Sequence, residues 1–297
     1  MRLRLLLSAA TLCTATACAP RHGAPGQPAT PAPAVGQPAT PPVAPLPQVR
    51  PGEVLRFGPS ALRYVAHQRI HIEQEFQGLS QPLDFGVRVY LSVTIMGPAD
   101  SVGYPTTFTI DSVVVDSGTT LPMGVNPGAA KGLAYRGRLA PNGEFKNPLP
   151  SDSATAAAVG ALIGQFRNFF PRIPAGGLTL GAAWTDTVVT RNPAAGGPVV
   201  TAISRSTAAA WEDRGGTRCL RLDVTATYTI EGAGEQMGQP YEVVGTGTHS
   251  GVSWIAVDGR YVGGESRDST NMTITLPVQG MTIPRREVTR GTISVVP

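Results

Sequence analysis

The sequence predicts a mainly β chain with a single helix, on three observations. First, apolar and polar residues alternate with a period of two over long stretches: Phe85, Val87, Val89, Leu91, Val93 and Ile95 interleave with Gly86, Arg88, Tyr90, Ser92 and Thr94. That alternation is the mark of a strand with one face buried. Second, turn-forming strings separate such stretches: Pro141-Asn142-Gly143, Asp213-Arg214-Gly215-Gly216 and Asp258-Gly259. Third, only 152–170 departs from the pattern, with Val159, Leu162, Ile163, Phe166, Phe169 and Phe170 recurring at spacings of three and four.

Taken in chain order, the first element is a leader. Arg2 and Arg4 give a positive start, Leu3 and Leu5–Leu7 open an apolar stretch, and small residues run from Thr14 to Ala17, so 1–17 reads as a signal peptide. The order Ala15, Thr16, Ala17, Cys18 resembles the lipobox of bacterial lipoproteins, with Ala15 where that motif usually has Leu. The resemblance implies cleavage before Cys18 and attachment of lipid to Cys18. It also implies an anchored protein, because each buried acyl methylene contributes ~0.8 kcal/mol and several chains hold firmly. Ala19 stands where an Asp would imply retention in the inner membrane, which points to the outer membrane facing the periplasm. Ordinary secretion after cleavage at a nearby Ala is the alternative.

From 18 to 51 the chain becomes rich in Pro, Ala, Gly, Gln and Thr, and Gly26-Gln27-Pro28-Ala29-Thr30-Pro31 recurs at 36–41. Such a segment cannot bury enough apolar surface to fold, and its prolines favour an extended tether. Residues 1–51 hold Arg2, Arg4, Arg21 and Arg50 and no acidic residue, so the net charge of +4 belongs to them. The remaining 246 residues carry 20 basic and 20 acidic side chains. A formally neutral domain over 52–297 gives no electrostatic ground for nucleic acid or an anionic membrane surface as its partner.

Within that domain, strand patterns fall around 62–76, 85–95, 106–115, 134–140, 184–191, 198–210, 218–230, 240–249, 252–257, 260–275 and 286–296. Long strands joined by short turns imply an antiparallel meander. Ser151-Asp152-Ser153 supplies capping residues for the helix and Pro171 ends it. Cys219 lies in an apolar alternation with no partner left in the mature chain, which reads as a buried, inert thiol.

A hairpin, this helix, the Pro-rich crossing 170–177 and the Gly181-Ala182-Ala183-Trp184 strand start resemble an uncharacterised group of bacterial lipoproteins similar to the lipoprotein-carrier fold. That resemblance implies a strongly curved antiparallel sheet, like an unclosed barrel, with helical segments across its mouth and an apolar concave face that accepts acyl chains. It carries over no individual ligand contact. Phe166, Phe169 and Phe170, on the apolar helix face, are the candidate ligand-binding residues. They either plug the open side of the sheet or form a lid over a cavity.

Strings that suggest chemistry are few. Val113-Val114-Val115-Asp116-Ser117-Gly118-Thr119 resembles the aspartic-protease signature, whose chemistry needs two carboxylates sharing one proton. A second copy does not occur, so Asp116 would have to find its mate by dimerisation, as in a retropepsin-like enzyme. The alternative is a turn ending a strand. His67, His71, Glu73 and Glu75 share one strand face, but His67 and His71 stand ~13 Å apart, leaving only His71 and Glu73 to converge; no metal is expected. Gly245-Thr246-Gly247-Thr248-His249-Ser250-Gly251 lacks the lysine of a phosphate loop and reads as close packing in a curved sheet. Ser253 lacks the flanking glycines of a nucleophile elbow.

The sequence therefore predicts a lipid-anchored envelope protein without catalysis or cofactor, whose curved sheet binds a lipid or another hydrophobic ligand. The alternatives are a scaffold binding another envelope protein, and the dimeric protease using Asp116.

Overall fold

The computed structural model describes residues 53–76, 78–119, 126–163, 166, 169–191, 197–236 and 239–296. The leader, Cys18 and the tether expected over 1–51 lie outside the described residues. Eleven strands and one helix are described: β1 (Ser60–Phe76), β2 (Leu79–Ile95), β3 (Tyr104–Val115), β4 (Ala134–Leu139), β5 (Phe145–Pro150), α1 (Ser153–Ile163), β6 (Ala183–Arg191), β7 (Val199–Arg214), β8 (Thr217–Gln236), β9 (Gln239–Ala256), β10 (Tyr261–Leu276) and β11 (Met281–Val296). They form one curved, unclosed antiparallel sheet in the order β5-β4-β3-β2-β1-β11-β10-β9-β8-β7-β6.

The order shows two meanders, β1–β5 and β6–β11, sewn together where β1 pairs with β11 from Arg63↔Val296 to Gln74↔Arg285. Within each meander the turns do what their residues dictate. Gly215 and Gly216, both at positive φ (61° and 80°), close the β7–β8 hairpin with the two-residue geometry that matches strand twist. Register shifts at Tyr90/Leu91, Ala208/Ala210 and Tyr261/Gly263 add the local bends that let strands of this length curve.

Alternation decides the faces. On β2, Val87, Val89, Leu91, Val93 and Ile95 are buried on the inner face. Opposite them on β1 stand Gln68, Ala66, Tyr64 and Leu62, so the same face runs on across the pairing. This inner face carries the core, completed by Phe108 and Ile110 of β3, Leu139 of β4, Phe145 of β5 and Leu220 and Leu222 of β8.

Asp152 caps α1, its Oδ1 accepting from the backbone N–H groups of Ala154 (2.9 Å) and Thr155 (3.1 Å). The helix is shorter than the 152–170 expected from sequence, and Phe166, Phe169 and Phe170 follow it rather than lying on its face. Pro171 disfavours helical backbone at Phe170. The aromatic run instead enters the sheet from its open side. Phe108 has Phe145, Phe166, Phe169 and Phe170 at ring-centroid distances of 4.7–5.8 Å, and Phe169 stands edge-on to Tyr64 at 5.2 Å. The following segment is tied down by mutual backbone hydrogen bonds between Leu55 and Leu178, 2.8 Å each way.

Candidate functional site

Where the strands of the second meander continue the inner face, the inward residues become small. Ala202, Ser204 and Ser206 on β7, Val224 and Ala226 on β8, Gly251 on β9, Ser266 on β10 and Gly291 on β11 line a groove of about 610 Å³, with Ala66 of β1 on its far wall. Phe169, Phe170 and Tyr261 close one end. The lining is mainly apolar, of the size and character that accommodates a small apolar molecule.

The groove wall carries a histidine–aspartate pair. Asp268 and His249 stand directly opposite each other on β10 and β9, with His249 Nδ1 2.8 Å from Asp268 Oδ1. Nearby, the Tyr228 hydroxyl and Thr270 Oγ1 are 2.6 Å apart. The Tyr228 ring lies across the backbone of Gly247, where a Cβ would collide with it. The glycine–threonine alternation of 245–251 thus serves close packing inside β9, the reading that the missing phosphate-loop lysine favoured. Burial raises the Tyr261 phenol well above its ordinary range, and burial likewise raises that of Tyr64, which donates to the Tyr261 carbonyl at 2.8 Å.

The candidate ligand residues divide. Phe169 and Phe170 face the groove, whereas Phe166 is buried between Phe108 and Tyr135 and does not line it. Trp184 packs against the core from β6.

Asp116 lies on the outer face, just past the end of β3. His67 Nε2 is 2.8 Å from its Oδ2, Arg69 Nε is 3.5 Å from the same oxygen, and Arg88 Nη2 is 3.1 Å from Oδ1. Gly86 makes room: a Cβ there would fall 2.5 Å from Asp116 Oδ2. Thr119 Oγ1 accepts the Gly86 N–H at 2.9 Å, bracing the Asp116-Ser117-Gly118-Thr119 turn against β2. The hydrogen bond from His67, helped by the charges of His67, Arg88 and Arg69, holds the Asp116 carboxyl below its usual range.

His71 sits between Asp84 (2.9 Å) and Glu73 (3.5 Å), and its hydrogen bond to Asp84, then that to Glu73, raises its pKa. Among the described residues no three His, Cys, Asp or Glu side chains gather closely enough to hold a metal ion. Cys219 is buried beside Trp254 and Ala256 in a small outer cluster, and burial pushes its thiol up to about 11. Trp254 Nε1 donates to Glu212 Oε2 at 2.9 Å, which, with Arg221, lowers the Glu212 pKa. No helix among the described residues is long and apolar enough to cross a membrane.

Sequence reading missed the His249–Asp268 pair and the gathering of Arg69 and Arg88 on Asp116. Both are cross-strand contacts whose partners lie 19 to 47 positions apart in sequence, set by register alone. The small inward residues of β7–β11 were readable, had the size of residues on each face been followed as well as their polarity. Compared with known proteins, the chain matches no family model, no curated protein and no solved structure.

Proposed function

We propose that this is a lipid-anchored cell-envelope protein that holds a hydrophobic ligand, such as a lipid acyl chain, in the open half of its curved sheet. The observation that carries the reading is the groove itself. The aromatic residues that fill the inner face over β1–β5 give way, along part of β7–β11, to Ala, Gly, Ser and Val, leaving about 610 Å³ of mainly apolar space. Tethering through Cys18 on a Pro-rich spacer suits a protein that meets its ligand at a membrane surface. His249 and Asp268 in the groove wall suit a ligand with a polar head on an apolar body.

The test is titration with a fluorescent long-chain fatty acid. The chain should bind it at one-to-one stoichiometry. Ala226→Phe, which puts a ring into the groove, should weaken binding at least tenfold, the effect of displacing two or more buried methylenes at ~0.8 kcal/mol each. Equal binding by both proteins would refute the site. Cys18→Ala should release the protein from membranes washed at high salt, and undiminished membrane retention there would refute the anchor.

A scaffolding role has an observation of its own. Val189 on the edge strand β6 and Ile203 on β7 are about half exposed on the outer face, and β6 has an unpaired edge. An edge strand with apolar neighbours can accept a strand from a partner protein. Capture of an envelope protein that is lost on Val189→Lys, with no fatty-acid binding, is the result that favours this second reading.

A further inference from the structure

We propose that the outer face of the sheet carries a binding site for a phosphate-bearing group, built by Arg69, Arg88, Arg267 and Arg290. The argument starts from register. Arg267 on β10 pairs with Arg290 on β11, and Arg290 pairs in turn with Arg69 on β1. Their sequence neighbours Ser266, Asp268, Thr289, Gly291 and Gln68 face the inner groove, so all three arginines point outward. Strands are ~4.8 Å apart, so three guanidiniums rise side by side from a span of ~10 Å. The next position of that rung is Gly86, whose missing side chain is replaced by the Asp116 carboxylate, with Arg88 bound on its other side. Together these residues border a surface depression of about 940 Å³.

Like charges directly opposite one another on neighbouring strands are destabilising, so three in a row is an arrangement in want of a counter-anion. The chain supplies too little of it. Asp116 is shared by His67, Arg69 and Arg88, and Asp84 is engaged by His71. Glu265 shares the outer face of β10 two residues from Arg267 without forming an ion pair with it. Among the described residues Arg267 and Arg290 have neither a hydrogen-bond acceptor nor a carboxylate partner. Each guanidinium offers five N–H donors, and Asp116 occupies only part of those on Arg69 and Arg88 while fixing where the rest point. Planar forks side by side match the oxygens of a phosphate, which accepts from two arginines at once.

The shared chemistry is a phosphate monoester or diester, from a lipid headgroup or from phosphate in solution. The experiment uses the full chain carrying Cys18→Ala, so that no acyl anchor contributes, and compares it with the same chain also carrying Arg267→Ala and Arg290→Ala. Flotation with phosphatidylglycerol vesicles, absent with phosphatidylcholine and weakened by salt, is the result expected for a headgroup. The double variant should then partition about thirtyfold less, the effect of two surface arginines. A rise in Tm with inorganic phosphate in the parent but not the double variant, without vesicle binding, assigns the site to free phosphate. Without any anion the double variant should melt no lower than its parent, since it loses only repulsion. The proposal is overturned if neither probe binds, if the double variant binds as its parent does, or if Arg205→Ala, elsewhere on the outer face, costs as much.

Discussion

The two halves of the inner face are written in the same alternation and end as different things. Over β1–β5 the inward positions hold Tyr64, Leu91, Phe108, Leu139 and Phe145, and the aromatic run after α1 locks between them. Over β7–β11 Leu220, Leu222 and Ile255 carry the core on at one end, but beyond them the inward positions hold Ala202, Ala226, Gly251, Ser266 and Gly291, and the same sheet encloses a groove. Period fixes which residues face inward, whereas side-chain volume fixes whether that face becomes a core or a cavity. A close-packed interior responds to the loss of a single ring, while an open wall has slack.

The sharpest way to break this contrast is to delete a ring from the filled half. Phe108→Ala removes a fully buried side chain touching four other rings, and should cost ~3–5 kcal/mol in denaturant unfolding. A loss below about 1 kcal/mol would mean that half is no better packed than the other. Next comes a place where the open half is tight. Gly247→Ala drives a methyl into the Tyr228 ring and should cost ~1–3 kcal/mol by the same measurement. Ala226→Phe is the counterpart, adding a whole ring where there is space; stability should stay within about 1 kcal/mol of wild type even though ligand uptake falls.

The smallest expected effects are electrostatic and lie on the outer face. The Asp116 carboxyl titrates lower in the folded chain than in the unfolded one. Its contribution is therefore present above the ordinary carboxylate pKa and is lost as pH falls through the folded value. Below about pH 4 the Tm of wild type should drop more steeply than that of Asp116→Asn. His71 has the opposite sign, its pKa being raised by Asp84 and Glu73. What it adds is complete below the ordinary histidine value and fades as pH rises through the folded one. His71→Gln should remove that slope. Parallel Tm profiles for variants and wild type would show that neither contact matters to folding.

Much of the fold was legible because its signals are local. The alternation of 85–95, the glycine pair at 215–216 and the Asp152 cap each act within a few residues, and each appears where the sequence put it. β5 escaped notice because Pro148 and Pro150 mask its alternation, which an edge strand tolerates. The reach of the helix was overestimated because a three-to-four spacing of aromatics also suits a turn followed by an extended run into a core. The pairing of β1 with β11 joins residues more than 200 positions apart, and no local pattern encodes it. The outer arginine row depends on that pairing, as does the far wall of the groove, whereas the Asp116 cluster depends on the β1–β2 and β2–β3 pairings. Candidate sites were therefore less legible than strands: residues such as Asp116, His71 and Phe169 could be singled out, but of their partners only Glu73, two positions from His71, was legible.

Native mass spectrometry of the full chain carrying Cys18→Ala, isolated from a bacterial envelope, tests the central claim most directly when run beside the same chain with Ala226→Phe. The account predicts an extra apolar mass at one-to-one stoichiometry, extractable by organic solvent and missing from the Ala226→Phe protein. A bare protein mass in both, or the same bound mass in both, would contradict it.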